Sequence, residues 1–141
     1  MTDVPFPAVL DLLPHGPELM LLDRVTAKDA DGIVVAVSIG ADTPFLIPGQ
    51  GVPAHVGLEY MAQACGAFAG LEARAHGEQV RVGYLLGTRR YQASVPWFAE
   101  GETLDVAALL VLPAAPMAVF DCRIEARGVT LARAQLTVYQ P

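Results

Sequence analysis

The sequence is poor in charged residues and in cysteine. Only 17% of its 141 residues are charged, with nine basic side chains against fifteen acidic ones, and there are two cysteines. The net charge of -6 opposes nonspecific binding to a phosphate backbone, so a nucleic-acid partner is not expected. Cys65 and Cys122 lie in separate apolar segments without the spacing of metal ligands or redox motifs, which predicts buried, reduced thiols and no metal site.

Long hydrophobic runs are also missing. No apolar stretch reaches the roughly 20 residues of a membrane span without meeting a charge or a proline. Residues 1–16 lack a basic leader followed by a continuous apolar run, because Pro5, Pro7 and Pro14 interrupt them. These absences predict a cytoplasmic protein without membrane contact. With 53% hydrophobic residues, the chain is long enough to bury a core as one domain over residues 1–141.

One segment, residues 52–76, has the composition of a long helix. It is rich in Ala, Leu and Met and nearly free of β-branched residues after Val56. Pro53 suits a first helical turn and Gly77 a C-terminal cap, so the pattern predicts a helix from about 53 to 76. Its apolar side chains point in nearly every direction, which predicts a central, largely enclosed helix.

The rest of the chain shows the two-residue period of strands. Candidate strands cover residues 19–25, 32–40, 80–95, 102–112, 117–126 and 129–139. The short links between them, at 28–32, 99–102, 112–116 and 127–128, are typical of antiparallel turns. The sequence therefore predicts an α+β fold, with one long helix packed on an antiparallel sheet of five or six strands.

Polar residues on the predicted helix follow a helical spacing. His55, Glu59 and Gln63 recur at i, i+4 and i+8, so they share one face. A carboxylate on an apolar helix loses hydration unless it is hydrogen-bonded or protonated, which favours a functional role for Glu59. The alternative is that Glu59 lies at an open edge of the sheet, solvated or bonded to backbone.

The loop before this helix is rich in glycine and proline. Free N–H groups at a helix start favour developing negative charge, so the N–H of Gly57 or of a neighbour is a candidate donor to a carbonyl oxygen. The alternative is a loop that only turns the chain into its helix. A third feature is a cluster of arginines, Arg81, Arg89 and Arg90, which suits phosphate or carboxylate groups or, alternatively, protects an edge strand against aggregation.

Three stretches together resemble one enzyme family. LLPHGPELMLLDRV at 12–25, GVPAHVGLEYMAQACG at 51–66 and VGYLLGTRRYQASVPWFAEGETLDV at 82–106 are similar to the signature stretches of the (3R)-hydroxyacyl-acyl-carrier-protein dehydratases. The form of the second and third stretches is most similar to the dehydratase-like proteins of aryl polyene biosynthesis clusters. The resemblance implies a single hot-dog domain over residues 1–141, with a helix wrapped by a six-stranded antiparallel sheet. It also implies a dimer with two pockets at the subunit boundary.

The resemblance also implies site residues. In that family a helix carboxylate and a loop histidine from the partner subunit eliminate water from a 3-hydroxyacyl thioester to give a trans-2-enoyl thioester. Glu59 matches the carboxylate and Gln63 the glutamine that follows it. The family's histidine falls around residues 45–49, where this sequence has none. His55 lies one helical turn before Glu59, within reach of a mutual hydrogen bond, so we expect it to assist Glu59 as a neutral base. The alternative is that His55 is a hydrogen-bonded packing residue.

Several other residues also have expected roles. His15 matches the family's N-terminal histidine and is expected to be structural, while His76 is expected to interact with the dipole at the helix C-terminus. Ala54, Gly57 and Gln63 are the expected substrate contacts.

Three functions are compatible with these residues. The first is a dehydratase acting on thioesters of an acyl carrier protein or coenzyme A, with no cofactor and with Arg81, Arg89 and Arg90 docking the acidic carrier. The second is a thioesterase of the same fold. The third is a catalytically silent subunit that pairs with an active homologue, so that the dimer is a heterodimer rather than a homodimer. The missing loop histidine favours the third function, and the reaction product separates the first two.

Overall fold

The computed structural model describes residues 6–8, 20–78, 84–114 and 116–139, and for residues 84–86, 89, 113 and 114 it describes the backbone alone. The described strands are β1 (Arg24–Lys28), β2 (Gly32–Ser38), β3 (Gly51–Pro53), β4 (Tyr84–Ala93), β5 (Trp97–Ala99), β6 (Thr103–Ala114), β7 (Met117–Ala126) and β8 (Val129–Tyr139). A 3-10 turn over Ala54–Val56 leads into the helix α1 (Gly57–Ala75).

Six of these strands form one antiparallel sheet, in the order β1-β2-β6-β7-β8-β4. The strands β3 and β5 form a separate two-stranded ribbon. Strands β6, β7 and β8 follow one another as hairpins, and Ala126 pairs with Val129 across a two-residue turn. Arg127 and Gly128 both have positive φ, 51° and 77°, as a hairpin turn of this length requires. The predicted α+β class and the hot-dog arrangement of one helix on a large antiparallel sheet are confirmed.

The core lies between α1 and the inner face of the sheet. Phe68 of α1 meets Phe120 of β7 edge-to-face, with ring centroids 5.7 Å apart, and the Lys28 ammonium lies 4.7 Å above the Phe68 ring. Cys65 and Cys122 are both buried and unbridged, with their Sγ atoms 3.7 Å apart. The expected buried, reduced thiols are confirmed, and burial raises the pKa of the Cys65 thiol well above its usual range.

The helix begins later than its composition predicts. Pro53, expected in the first turn, belongs to β3 and lies opposite Trp97 of β5. The chain then passes through the 3-10 turn, and regular helix runs from Gly57 to Ala75 rather than from 53 to 76. The helix starts late because the residues before it pair with β5, which lies more than 40 residues further along the chain. Amino-acid composition does not predict such pairing. The predicted C-terminal cap is confirmed, since Gly77 has positive φ and the Glu78 N–H donates to the Ala73 carbonyl at 2.7 Å.

Two further expectations need correction. The first strand, expected over residues 19–25, begins at Arg24 and continues to Lys28. The helix is not enclosed by the described part of the chain, because one face stays exposed or half-buried. That uncovered face consists of Leu58, Glu59, Ala62, Ala69 and Ala73.

In the ranges that the structure describes, no helix combines the length and the apolar character needed to cross a membrane. The cytoplasmic location and the extent of the single domain stay predictions.

Candidate active site

Glu59 lies in the first turn of α1, on its uncovered face. Its side chain is exposed, so the solvated environment weighed in the sequence analysis is the one found in this single chain. The carboxylate oxygen Oε1 accepts a hydrogen bond from Nε2 of Gln63 at 3.2 Å. The carboxylate is therefore oriented through one of its two oxygens.

Gln63 is the buried polar side chain behind Glu59. It is 3% exposed, and its amide oxygen accepts a hydrogen bond from the backbone N–H of Leu21 at 3.0 Å. A buried amide is stable only when its donors and acceptor are satisfied, so these bonds fix its orientation. Gln63 thus connects the chain before β1 to the Glu59 carboxylate.

His55 lies close to Glu59 in sequence but does not bond to it. It is exposed and belongs to the 3-10 turn, where the i, i+4 spacing of an α-helix no longer applies. Within the described residues, no hydrogen bond or ion pair joins His55 to Glu59. The expected mutual hydrogen bond is wrong, and the assisting role of His55 stays a prediction.

The 3-10 turn before the helix is held from two sides. The Ala54 N–H donates to the Pro96 carbonyl at 3.0 Å, and the Ala54 carbonyl accepts a hydrogen bond from the Tyr91 hydroxyl. The N–H groups at the Gly57 end of the turn donate to the carbonyls of Ala54 and His55. The turn therefore uses these N–H groups itself, and donation to a substrate carbonyl by Gly57 or a neighbour stays a prediction.

Gly57 provides the space that this arrangement needs. A Cβ atom on Gly57 would overlap the Tyr91 hydroxyl and would lie 2.9 Å from the Ile124 side chain and 3.0 Å from the Phe98 ring. Burial raises the pKa of Tyr91 to about 12, so its hydroxyl stays protonated and donates. Gly57 is thus a packing position, and the substrate contacts expected at Gly57 and Ala54 stay predictions.

Sequence reasoning missed Tyr91. The register between β4 and β8 shifts between Arg89 and Gln92, and Arg90 within this bulge has a positive φ of 56°. A bulge of this kind re-aims the neighbouring side chains. The only signal in the sequence is an aromatic residue beside two arginines, and it does not show which face of the sheet the tyrosine occupies.

Backbone hydrogen bonds hold the loop in which the resembled family carries its histidine. The Leu46 N–H donates to the Thr43 carbonyl at 3.2 Å, and the Ile47 N–H donates to the Gly51 carbonyl at 2.9 Å. Phe45 has a positive φ of 69° and is 62% exposed. An exposed aromatic side chain in a strained backbone conformation marks this loop as a candidate contact surface.

The remaining predicted residues are only partly described. His15 and Arg81 lie outside the described residues, and only the backbone of Arg89 is described. Arg90 is exposed in the β4 bulge. Because the other two side chains of the cluster are not described, carrier docking by these arginines stays a prediction. His76 is hydrogen-bonded through Nδ1 to the Glu72 carbonyl at 2.8 Å, at the helix end where it was expected. No metal-binding group of three or more His, Cys, Asp or Glu side chains occurs within the described ranges.

Comparison with known proteins adds independent information. Residues 7–141 match the ApeP-like family, described as ApeP dehydratase. A relative, the 3-hydroxyacyl-[acyl-carrier-protein] dehydratase FabZ of Bartonella henselae, is 28% identical over 133 residues, which cover 91% of this chain and 84% of the relative.

Solved structures agree with the fold. The dehydratase heterocomplex ApeI:P of Xenorhabdus doucetiae matches with a TM-score of 0.92 and 30% identity, over 96% of this chain and 92% of the other. A hypothetical thioesterase of Streptococcus pneumoniae with coenzyme A matches with a TM-score of 0.65 and 13% identity, over 84% of each chain. The second likeness concerns the fold alone.

Proposed function

The chain belongs to the ApeP-like dehydratase family, and we propose that it removes water from 3-hydroxyacyl thioesters carried by an acyl carrier protein, with Glu59 as the group that moves the proton. The observation that carries this proposal is the position of Glu59. Its carboxylate is exposed at the start of α1, and Gln63 holds one of its oxygens. The second oxygen is left to accept a proton from a substrate.

The elimination needs two proton transfers. A base takes the proton from the carbon next to the thioester carbonyl, the C–H electrons form the double bond, and the C–O bond breaks as the hydroxyl leaves with a proton as water. A carboxylate that has accepted the first proton is the acid that the second step needs. Glu59 serves both steps in this proposal, and Gln63 keeps its carboxylate in one orientation between them.

The site needs a second wall. An exposed carboxylate in water is a weak base, whereas exclusion of water strengthens its interaction with a bound substrate. The uncovered face of α1 carries small residues, Ala62, Ala69 and Ala73, which allow another helix to approach closely. We propose a dimer with a copy of this chain or with a homologous dehydratase subunit. The likeness to the ApeI:P heterocomplex supports the heterodimer.

A second candidate function is that of a silent subunit. Residues 45–49 contain no histidine, and His55 makes no hydrogen bond to Glu59. A chain with this loop could complete the pocket of an active partner without performing the chemistry itself. A thioesterase of the same fold remains separable from both by its product, a free acid.

The test compares Glu59→Gln with the matched control Glu78→Gln, since Glu78 is exposed beyond the end of α1. Dehydration of a 3-hydroxyacyl carrier thioester is followed by mass spectrometry, with the chain alone and mixed with a homologous dehydratase subunit. We expect Glu59→Gln to lower turnover by at least about 100-fold because proton transfer is lost, with unchanged melting temperature and a fully active Glu78→Gln.

Two results would contradict the proposal. Full turnover by Glu59→Gln would show that another group moves the proton. A second result would identify the chain as the silent subunit. The chain alone would show no turnover, and its mixture with the homologous subunit would be equally active with wild type and with Glu59→Gln.

A further inference from the structure

The fold brings both cysteines of this chain to one point. Cys65 lies on α1 and Cys122 on β7, 57 residues apart in sequence, and their Sγ atoms are 3.7 Å from each other. At that distance one thiol donates a hydrogen bond to the other. The chemistry proposed for Glu59 uses neither of them, because Glu59 lies on the opposite, uncovered face of α1.

The two thiols are buried between α1 and the sheet. Cys65 is 1% exposed and Cys122 is 4% exposed, and burial raises the pKa of the Cys65 thiol. A thiol that stays protonated is a slow nucleophile, and a bulky oxidant does not reach it in the folded chain. Within the described ranges the sheet covers α1 on one side only, so a transient lifting of the helix admits small molecules. A small oxidant therefore has access to the pair, whereas a large one does not.

Small side chains flank Cys122 in the sheet. Ala108 of β6 and Ala134 of β8 pair with it in register, so these three residues form one row under α1. The neighbouring rows contain larger side chains, among them Ile124 on one side and Phe120 on the other. Because protein interiors are closely packed, a helix lies nearer to a sheet where the side chains between them are small. The row of small residues thus brings α1 close to β7 at the cysteines.

A disulfide between the two cysteines needs only a short movement. An S–S bond is about 2.05 Å long, so the present 3.7 Å between the Sγ atoms must shrink by about 1.7 Å. Rotation of each thiol about its Cα–Cβ bond supplies part of this approach. The row of small residues leaves room for α1 to move towards the sheet for the rest.

We propose that Cys65 and Cys122 form a redox site that reduces a small hydroperoxide and closes a reversible disulfide between α1 and β7. One sulfur, as the thiolate, attacks an oxygen of the peroxide. The O–O bond breaks, an S–O bond forms to give a sulfenic acid, and the departing oxygen takes the thiol proton and leaves as water or an alcohol. The second sulfur then attacks the sulfenic sulfur, so that the S–S bond forms, the S–O bond breaks and hydroxide leaves with the second thiol proton as water. Two electrons pass from the thiols to the peroxide.

The disulfide would join the helix that carries Glu59 to the sheet. A disulfide stabilises a fold mainly by restricting the unfolded chain, and the effect grows with the length of the closed loop. The loop between the two cysteines spans 57 residues, so the oxidised chain should be harder to unfold than the reduced chain. The proposal does not depend on the dehydratase function, since it concerns the side of α1 that packs on the sheet.

The test treats the reduced full chain with hydrogen peroxide. We expect peptide mapping without reductant to find Cys65 joined to Cys122, with a loss of about 2 Da for the two hydrogen atoms removed. The melting temperature should rise by at least about 5 °C. It should return to its starting value after incubation with dithiothreitol, which restores the thiols but not oxidised methionines. Oxidised glutathione, a bulky disulfide, should leave the folded chain unchanged over the same time.

Cys122→Ala is the matched control, because alanine already occupies both neighbouring positions of its row. A melting curve checks that this variant is folded, and peroxide should then produce neither the cross-link nor the rise in melting temperature. Wild-type thiols that stay free after prolonged exposure, or that oxidise separately to sulfinic acids, would overturn the proposal. A cross-link that lowers the melting temperature would also overturn it, and so would equally fast oxidation by glutathione disulfide.

Discussion

The two faces of α1 are both mainly apolar, but they differ in side-chain size and in their surroundings. The face on the sheet is almost completely buried, and its large side chains fit against the strands. This packed face consists of Tyr60, Met61, Ala64, Cys65 and Phe68, none more than 4% exposed. The uncovered face carries Glu59 together with Leu58 and three alanines, all exposed or half-buried.

The difference shows how an apolar helix can be read wrongly from its sequence. Hydrophobic residues around the whole circumference predict an enclosed helix. In the described part of the chain the sheet covers only one side of α1. The small apolar residues of the other side are explained by a surface that another subunit covers, and Glu59 lies at its edge.

The strongest test of this comparison is a truncation on the packed face. Phe68→Ala removes a ring that is 4% exposed and packs against Phe120, so we expect a loss of about 3–5 kcal/mol in the free energy of unfolding. Leu58→Ala on the uncovered face should cost about 1 kcal/mol in the isolated chain, since Leu58 is only half-buried. Urea unfolding measures both values, and equal losses would refute the asymmetry.

An intermediate effect is expected when the uncovered face receives a large charged side chain. Ala62→Arg should leave the melting temperature of the monomer nearly unchanged, because arginine is a good helix former and Ala62 is half-buried at the centre of this face. It should weaken dimerisation by at least about 100-fold, since a buried unpaired charge costs several kcal/mol. Analytical ultracentrifugation with wild type and with a homologous subunit checks this, and an intact dimer would place the interface elsewhere.

The smallest expected change in the free energy of unfolding concerns the turn that leads into α1. Tyr91→Phe removes the hydroxyl that donates to the Ala54 carbonyl, which should cost about 0.5–1.5 kcal/mol at neutral pH. Tyr60→Phe is the matched control, because the buried Tyr60 hydroxyl has no partner among the described residues and its removal should cost nothing.

The raised pKa values of the two tyrosines also predict how the stability of the chain depends on pH. Burial raises the pKa of both to about 12, from 10.0 for an ordinary tyrosine. Below pH 10 both are protonated in the folded and unfolded chain, and stability should fall as the pH rises from about 10 to about 12, because the unfolded chain loses these protons first. Either phenylalanine variant should show a shallower fall in chemical denaturation, and an unchanged fall would contradict the assignment.

Local patterns predicted most of the fold. The strands over residues 117–126 and 129–139 have the predicted bounds, because alternation is regular there and a two-residue turn with glycine separates them. The helix start was wrong because β3 forms by pairing with β5, a contact between distant parts of the chain. Sequence spacing carries no information about such pairing.

The site was predictable only in part. The carboxylate of Glu59 and the glutamine behind it were found from helical spacing, and Gln63 does bond to Glu59. The same spacing failed for His55, since it extends across the boundary between the 3-10 turn and the α-helix. Tyr91 was missed because a bulge in β4, set by the register with β8, determines where it points.

The pairing of β2 with β6 has a consequence for where the chain tolerates insertions and deletions. The chain that connects them contains α1, both strands of the small ribbon and the loop around Phe45, and also β4, which pairs with β8 at the far edge of the same sheet. The entropy of closing a flexible loop within this connection rises only with the logarithm of the loop length, so that a doubling of one loop costs about 0.6 kcal/mol. The part of the chain that carries the proposed chemistry can therefore be lengthened or shortened in its loops at little cost to the sheet. In the two-residue turn at Arg127 and Gly128, an insertion of one residue would instead shift the register of β7 against β8 and turn side chains to the opposite face.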